Sequence, residues 1–271
     1  MSPLTVSQPL AVAQSTSLEF TPAELERFQQ DGYIIVRQLA EAGQQQQMLE
    51  ATMVGLAGPV HPVEFETEVQ YPGAPASRTE HGGDTIRRLK EAHARHPAFT
   101  QWITHPKLVH RLQQLLGPRV VMPLAHHNCV MTKHPKFSSE THWHQDIRYW
   151  SFQTPELISV WLALGHENQQ NGCLYVIPGT HRMNFTRDQF DDRMFFRADH
   201  PENQRLINTQ IPVELEPGDT LLFHCKTLHA AGRNTTNQSK YSVVFTFRSA
   251  DNAPLPGSRS AGMAEILLPN V

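Results

Sequence analysis

The second half of the chain changes in character after Arg119, and this change limits the fold more than any other feature of the sequence. Short segments rich in β-branched and aromatic residues follow one another, separated by turn signals such as Asn171-Gly172 and Pro217-Gly218. The segments are VVMPLA, CVMT, LISVWLALG, GCLYVI, IPVEL, DTLLF and YSVVFTF. Many short strands at close spacing predict a β-sandwich or jelly roll.

The first part of the chain carries helix signals instead. Thr21-Pro22-Ala23-Glu24 is a capping box that predicts a helix ending near Gly32, and a strand should follow at 33–36. Further helices are expected over 39–56 and 84–95, and from Pro106 to Gly117. The expected fold class is therefore α+β, with helices flanking a jelly-roll core.

The domain organisation follows from the same pattern. Residues 1–18 are rich in Ser, Thr, Gln and Pro and are expected to form a mobile arm. Residues 19–271 should form a single domain, helical to about 118, with the main jelly-roll part at 119–251. The polar stretch 183–208 is long for a connection, which predicts a helical insert or a lid.

Composition excludes several classes of protein. The chain has 271 residues and a net charge of -3, which does not suit a nucleic-acid-binding surface. It has no apolar run long enough for a membrane span and no signal peptide, so no membrane partner is expected. Its three cysteines form no CxxC pair, which indicates reduced thiols and a cytoplasmic location.

A candidate metal site comes from two separated pieces of sequence. In an extended segment, residues two apart share a face, so His144 and Asp146 of THWHQD should point the same way. His229 lies 85 residues further on, in LLFHCKTLHAAGRN. Two imidazoles and one carboxylate can bind one face of a ferrous ion and leave the other face open. Each piece alone is weak evidence, because most of the 16 histidines are expected to be ordinary surface or core residues.

The blocks around these residues resemble the phytanoyl-CoA dioxygenase family of non-haem iron, 2-oxoglutarate-dependent oxygenases. DGYIIVRQL resembles the opening strand of that family, and THWHQD resembles its metal motif. SVWLALGHENQQNGCLYVIPGTH and EPGDTLLFHCKTLHAAGRN resemble the two later blocks, in the same order, within about 24–251. The resemblance implies a double-stranded β-helix and an Fe(II) ion bound by His144, Asp146 and His229, with 2-oxoglutarate and O2 as co-substrates.

The resemblance also implies a type of reaction. Related halogenases lack the carboxylate ligand, because a halide takes its place, so Asp146 favours hydroxylation or a similar oxidation. The implied activity is a dioxygenase that oxidises an unactivated C–H bond of a small organic substrate and releases succinate and CO2. Such chemistry belongs to the cofactor, while the protein positions the bond and excludes water.

The distal carboxylate of 2-oxoglutarate needs a cation, since a buried unpaired carboxylate is very unfavourable. The family places an arginine eleven residues after the second histidine, and this chain has Lys240 there, with Ser242 on the same strand face. Arg248 is about 26 Å further along an extended strand, too far to replace Lys240. Three further residues are expected to contribute to the pocket: Asn128, Lys133 and Trp161.

Several cations could bind substrate. Arg148 and Tyr149 follow the metal motif directly, and His181 and Arg182 end the PGTH block. Arg87 and Arg88 fall on the helix expected over 84–95, which could cap the mouth of the site. These residues favour a small, anionic substrate, and the sequence indicates no other partner. The sequence does not indicate the oligomeric state.

Two other functions stay open at this point. A jelly-roll protein that binds a metal or ligand without turnover would be consistent with lysine at position 240. A hydrolase or isomerase could use zinc on the same triad, but hydrolases generally place a general base near the metal-bound water, and none is evident here.

Overall fold

The computed structural model of the protein describes residues 10–271. Its helices are α1 (Pro22–Asp31), α2 (Ala42–Ala57), α3 (Glu66–Val69), α4 (Ala92–Arg95), α5 (Pro97–Ile103), α6 (Pro106–Leu116) and α7 (Pro201–Ile207). Single-turn 3₁₀ segments cover Asp146–Tyr149, Thr180–Arg182, Arg187–Gln189 and Arg259–Ala261. The helices with three or more turns thus lie in the first part of the chain, as the sequence predicts.

The strands form two sheets. They are β1 (Val12–Gln14), β2 (Tyr33–Arg37), β3 (Val63–Phe65), β4 (Ile86–Lys90), β5 (Val120–Pro123), β6 (Asn128–Lys133), β7 (Thr141–His144), β8 (Leu157–Ala163), β9 (Leu174–Val176), β10 (Ile211–Val213), β11 (Thr220–His224), β12 (His229–Ala231), β13 (Lys240–Ser249) and β14 (Glu265–Leu267). The larger sheet has the order β1-β2-β11-β8-β13-β6-β4-β3, and off this path β5 pairs with β13 and β14 pairs with β5. The smaller sheet has the order β10-β9-β12-β7.

The hydrophobic core is one cluster that contains residues of both sheets and of the helices, such as Trp102 and Leu112. Val160 and Val244 of the larger sheet are fully buried in the same cluster as Val176 and Val213 of the smaller sheet. Nearly all pairings in both sheets are antiparallel. Two packed antiparallel sheets with flanking helices confirm the predicted α+β fold with a jelly-roll core.

The first helix begins and ends as its sequence predicts. The side chain of Thr21 accepts a hydrogen bond from Glu24 N, and that of Glu24 accepts one from Thr21 N, which completes the capping box. Gly32 ends α1 in the left-handed conformation, with φ of 78°. The chain then enters β2 at once, so the cap of α1 lies directly against the larger sheet.

Two expectations about the first part of the chain are wrong. Residues 84–95 do not form one helix, because Ile86–Lys90 is strand β4, in which Arg88 pairs with Glu64 of β3 on one side and with Met131 of β6 on the other. Partners on both sides outweigh the local helix signal. The proposed mobile arm also fails in part: Val12–Gln14 pairs in parallel with β2, while residues 1–9 lie outside the described residues.

The stretch 183–208 is a packed insert and only partly helical. It contains one 3₁₀ turn and α7, and an isolated bridge joins Phe190 to Phe196. These two phenylalanines and Ile207 form a small hydrophobic cluster with Ile177 and Leu228, which lie outside the insert. The cluster therefore packs the insert against the body of the domain.

The three cysteines are free and buried. Within residues 10–271, no helix combines the length and the apolar character needed to cross a membrane.

Candidate metal centre and adjoining cavities

Two histidines meet across the smaller sheet. His144, the last residue of β7, pairs in register with His229, the first residue of β12, and their ring centroids are 4.2 Å apart. The Nδ1 atom of His144 lies 2.8 Å from the carbonyl oxygen of His142, and that of His229 lies 3.0 Å from the carbonyl oxygen of Thr227. Because Nδ1 donates to these carbonyls, both Nε2 atoms are left free on the side of Asp146.

Asp146 completes the group from the start of the 3₁₀ turn. Its Oδ1 atom lies 3.8 Å from Nε2 of His144 and 3.5 Å from Nε2 of His229. Ser159 of β8 donates its hydroxyl to Oδ2 of Asp146 at 2.8 Å, and Nδ1 of His127 lies 3.6 Å from the same oxygen. The carboxylate is thus oriented by the larger sheet while it faces the two histidines of the smaller sheet.

The electrostatics of the group suit a divalent cation. Burial alone would raise the pKa of the Asp146 carboxyl, but the imidazoles of His127 and His229 outweigh it and hold that pKa well below its usual range. Burial, followed by the neighbouring His229, holds the pKa of His144 well below its usual value. A carboxylate and neutral imidazole nitrogen are the forms that ligate a metal. The candidate ligand atoms all lie within 4.8 Å of one another.

The triad stands where two cavities meet. Both cavities are lined by His144 and Asp146 and by Thr141, His127, Arg87 and Arg88. The first cavity runs between the two sheets and reaches Lys133, Trp161 and Lys240. The second, of about 370 Å³, lies on the side of Tyr71, Arg148 and Tyr149. A metal at the triad would therefore be accessible from two directions.

The inner end of the first cavity holds a closed polar network around Glu167. The Glu167 side chain is fully buried, and its Oε2 atom accepts from Nζ of Lys240 at 2.9 Å. Its Oε1 atom accepts from the Ser242 hydroxyl at 2.6 Å, and Nε1 of Trp161 donates to Oε1 and Oε2 at 3.0 and 3.2 Å. Nζ of Lys240 also lies 5.0 Å from the centre of the Trp161 ring. Three residues expected in the co-substrate pocket thus converge on one carboxylate.

Lys133 stands directly opposite Lys240 on the neighbouring strand β6. Its ammonium group donates to the carbonyl oxygens of Ser139, at 3.2 Å, and Gly232. Burial, with added repulsion from Lys240 and Arg87, lowers the pKa of Lys133 to about 7. The structure therefore brings Lys133 and Lys240 together in the cavity, as the sequence predicts.

Asn128 does not join them. It pairs in register with Phe245 and lies an odd number of residues from Lys133, so its side chain is on the other face of β6. There its amide accepts from the backbone N–H of His93 at 3.1 Å and contacts the His93 ring. Arg248 is also outside this cavity, since it forms an ion pair with Glu265.

The candidate substrate residues divide into two groups. Arg148 and Tyr149 line the second cavity, and the Arg148 guanidinium lies 4.1 Å from the ring centre of Phe195 in the 183–208 insert. His181 and Arg182 instead line a separate cavity beside α1, where Nε2 of His181 lies 3.1 Å from the carbonyl oxygen of Gln29. The structure therefore does not bring these last two residues together with the triad, and their role in substrate binding stays a prediction.

Arg87 and Arg88 reach the triad from strand β4 rather than from a helix. Both pair with Glu64, at 3.5 and 3.4 Å, and Arg87 also lies 3.4 Å from Glu66. Both guanidinium groups thus already have buried carboxylate partners.

Three residues of the site were not predicted: His127, Ser159 and Glu167. Ser159 carried a usable signal, because it is the one polar residue inside the apolar run LISVWLALG. Glu167 lies in the block SVWLALGHENQQNGCLYVIPGTH, but nothing in that block or around His127 marks either residue as part of the site. Only the packing of β5, β6 and β8 brings them there.

Comparison with known proteins agrees with this geometry. The family model described as phytanoyl-CoA dioxygenase (PhyH) matches residues 28–242. The chain belongs to this family. The peroxisomal phytanoyl-CoA dioxygenase of Homo sapiens is 30% identical over 162 residues, a match that covers 56% of this chain and 46% of that protein. This chain therefore spans about half the length of that relative.

A second relative matches over more of its length. Phytanoyl-CoA dioxygenase domain-containing protein 1 of Mus musculus is 24% identical over 278 residues, covering 88% of this chain and 94% of that protein. The homology thus extends well beyond the metal motifs.

Solved structures share the fold. The epimerase SnoN, in complex with Fe3+, alpha ketoglutarate and nogalamycin RO, superposes with a TM-score of 0.69 at 22% identity, covering 87% of this chain and 88% of that one. EctD from S. alaskensis, with 2-oxoglutarate and 5-hydroxyectoine, gives a TM-score of 0.72 at 22% identity, covering 87% and 78%.

Proposed function

We propose that the protein is an Fe(II)- and 2-oxoglutarate-dependent dioxygenase, in which His144, Asp146 and His229 hold the iron. The observation that carries the proposal is the position of this buried triad at the junction of two cavities. A metal bound on one face by two imidazoles and a carboxylate keeps its opposite positions open for other ligands. With 2-oxoglutarate and dioxygen bound, the iron supplies an oxidant for C–H bonds, and succinate and CO2 are released.

The first cavity suits the co-substrate. Its outer end touches the triad, where the keto-acid group of 2-oxoglutarate would bind, and its inner end holds Lys133, Lys240 and Trp161. A lysine there can neutralise a carboxylate, although without the bidentate geometry of arginine. The family membership of the chain supports the same assignment.

The second cavity suits the substrate, and we propose a small organic anion. Arg148 lines this cavity, and no carboxylate among the described residues lies within ion-pair distance of it. Its guanidinium is held over Phe195 and donates to the hydroxyl of Tyr71 at 3.4 Å, so its position is set before a ligand arrives. Since Asp146 supplies the third ligand, hydroxylation or a related oxidation is favoured over halogenation. Free buried cysteines are consistent with a cytoplasmic location.

One experiment tests the whole assignment. The metal-free protein is loaded with Fe(II) under nitrogen, and 2-oxoglutarate is added while the visible absorption is recorded. A weak metal-to-ligand charge-transfer band is expected, followed by succinate once air is admitted with a panel of small carboxylic acids and amino acids. The Asp146→Asn variant should show neither. A band without succinate would favour the non-catalytic binding protein, and the absence of both would refute the dioxygenase.

A further inference from the structure

Lys240, which stands where the family usually has its arginine, already forms an ion pair with Glu167 of the same chain. Glu167 receives hydrogen bonds on both carboxylate oxygens, from Lys240, Ser242 and Trp161. The two side chains of the ion pair are 4% and 0% exposed, so water does not screen them. Glu167 thus neutralises the charge of Lys240, as the carboxylate of a bound ligand otherwise would.

Lys133 differs from every other cation in this cavity. Arg87 and Arg88 pair with Glu64, and Lys240 pairs with Glu167. Among the described residues, no carboxylate lies within ion-pair distance of Lys133, whose hydrogen bonds go to two backbone carbonyl oxygens. Carbonyl oxygens accept its hydrogen bonds but do not cancel its charge, so the protonated form of this buried lysine has no carboxylate in direct contact.

The charges at this end can be counted. When both lysines are protonated, Lys133 and Lys240 carry two positive charges at opposite positions on β6 and β13, and Glu167 carries one negative charge. The remainder is one positive charge, which one carboxylate balances. The distal end of 2-oxoglutarate carries one carboxylate.

We infer that Lys133 is the residue that binds the distal carboxylate of 2-oxoglutarate, and that Glu167 sets the charge of the pocket by neutralising Lys240. The inference rests on the proposed function and changes its co-substrate site, because it moves the ligand from the expected position, Lys240, to the opposite strand. The lowered pKa of Lys133, which burial causes first, is consistent with a cation that lacks its partner in the free protein.

The test compares two keto acids that differ only at the distal end. 2-Oxoglutarate carries the distal carboxylate, and 2-oxopentanoate has a methyl group in its place. Binding of each is measured by calorimetry under nitrogen on protein loaded with Co(II), which separates affinity from turnover. The variants are Lys133→Met, the double variant Glu167→Met with Lys240→Met, and the control Lys136→Met, an exposed lysine three residues away.

We expect that only Lys133→Met loses the preference for 2-oxoglutarate over 2-oxopentanoate. Lys133→Met should bind 2-oxoglutarate about 10–100-fold more weakly, the range for a lost hydrogen bond to a charged group, while its affinity for 2-oxopentanoate stays the same. The double variant removes both members of the Lys240 ion pair together, so no buried charge is stranded, and it should keep the preference for 2-oxoglutarate. Lys136→Met should match the wild type.

The opposite pattern would overturn the inference. If the double variant loses the preference and Lys133→Met keeps it, Lys240 is the ligand and the proposed function stands. If Lys133→Met does not fold, the double variant alone decides between the two lysines. If the wild-type protein binds neither keto acid, the proposed function itself fails.

Discussion

His144 and His229 are directly opposed across β7 and β12, and Nε2 of His229 lies 3.5 Å from the Asp146 carboxylate. The ladder of the smaller sheet holds the two buried imidazoles, and Ser159 of the larger sheet holds the Asp146 carboxylate that faces them. A bound cation would therefore connect two strands that already touch, rather than assemble a site from distant parts.

This relationship predicts that metal binding stabilises the fold without reorganising it. At a metal concentration 100 times its Kd, the gain is about 2.7 kcal/mol, or a rise in Tm of roughly 5–10 °C for a chain of this size. His229→Gln should lose the rise, because one ligand is missing. His142→Gln, which changes an exposed histidine two residues before His144, should keep it. Calorimetric melting with and without Co(II) gives the result; a full rise in His229→Gln would exclude His229 as a ligand.

The hydroxyl of Ser159 predicts a measurable effect on metal affinity. It donates to Oδ2 of Asp146 at 2.8 Å and so fixes the orientation of that carboxylate. Groups that orient metal ligands typically change affinity by 10–100-fold when removed, and Ser159→Ala should weaken Co(II) binding by about that factor.

The matched control for Ser159 is its neighbour in the sheet. Thr246 of β13 pairs with Ser159 in register and is equally buried, but its hydroxyl has no hydrogen-bond partner among the described residues. Thr246→Val should leave the Co(II) affinity unchanged. Equal losses in the two variants would show that packing of the two strands, and not the bond to Asp146, is responsible.

Sequence patterns predicted most of the fold because they describe local physics. The capping box at Thr21, the helix stop at Gly32 and the strands of the second half depend on nearby residues, and each appears where it was expected. The helix predicted over 84–95 is instead partly strand β4, because residues 86–90 pair with β3 and β6, which are distant in sequence. Pairing across a sheet can override a local helix preference, and a single sequence carries little trace of it.

The candidate site divides in the same way. The metal triad was predicted because His144 and Asp146 lie two residues apart in one motif of the family and His229 lies in another. Asp146 starts a 3₁₀ turn instead of continuing strand β7, yet its carboxylate still faces the two histidines. The ion pair of Lys240 was not predicted, because its partner Glu167 belongs to the loop after β8 and approaches the lysine only once the sheet has folded. Lys133 was expected in the pocket. Only the folded structure shows that, among the described lysines and arginines of the first cavity, Lys133 is the one without an ion pair.

Gly32 ends the first helix and contacts Thr227, two residues before His229. A substitution at Gly32 therefore tests how tightly the helix packs against the segment that carries this ligand. Its φ is +78°, and a Cβ added there would lie 2.3 Å from the His181 ring and 2.7 Å from the Thr227 hydroxyl. That hydroxyl donates to the carbonyl oxygen of Gly32 at 2.8 Å. Gly32→Ala combines an unfavourable backbone conformation with overpacking, so a loss of about 2–4 kcal/mol in the free energy of unfolding is expected.

The control is a glycine in open space within a helix. Gly43 of α2 has no atom within 4 Å of an added Cβ, so Gly43→Ala should gain up to about 1 kcal/mol from helix propensity. Urea unfolding of both variants measures the two free energies. A loss in Gly32→Ala no larger than 0.5 kcal/mol, roughly the limit for an ordinary surface change, would mean that the contact with Thr227 adjusts freely.

The buried charge of Lys133 predicts a dependence of stability on pH in the metal-free protein. The pKa of Lys133 is about 7 in the folded state, below its ordinary value of 10.5, because burial disfavours the charged form. Between these two values the unfolded chain binds more protons, so the stability of the wild type rises with pH across this window. Lys133→Met lacks the group, so it should be more stable than the wild type at pH 7 by a few kcal/mol, and this advantage should shrink by up to about 1.4 kcal/mol per pH unit as the pH rises to 9. Urea unfolding at pH 7, 8 and 9 measures the difference, with Lys136→Met as the exposed control; an advantage that does not change with pH would mean that Lys133 titrates alike in the folded and unfolded chains.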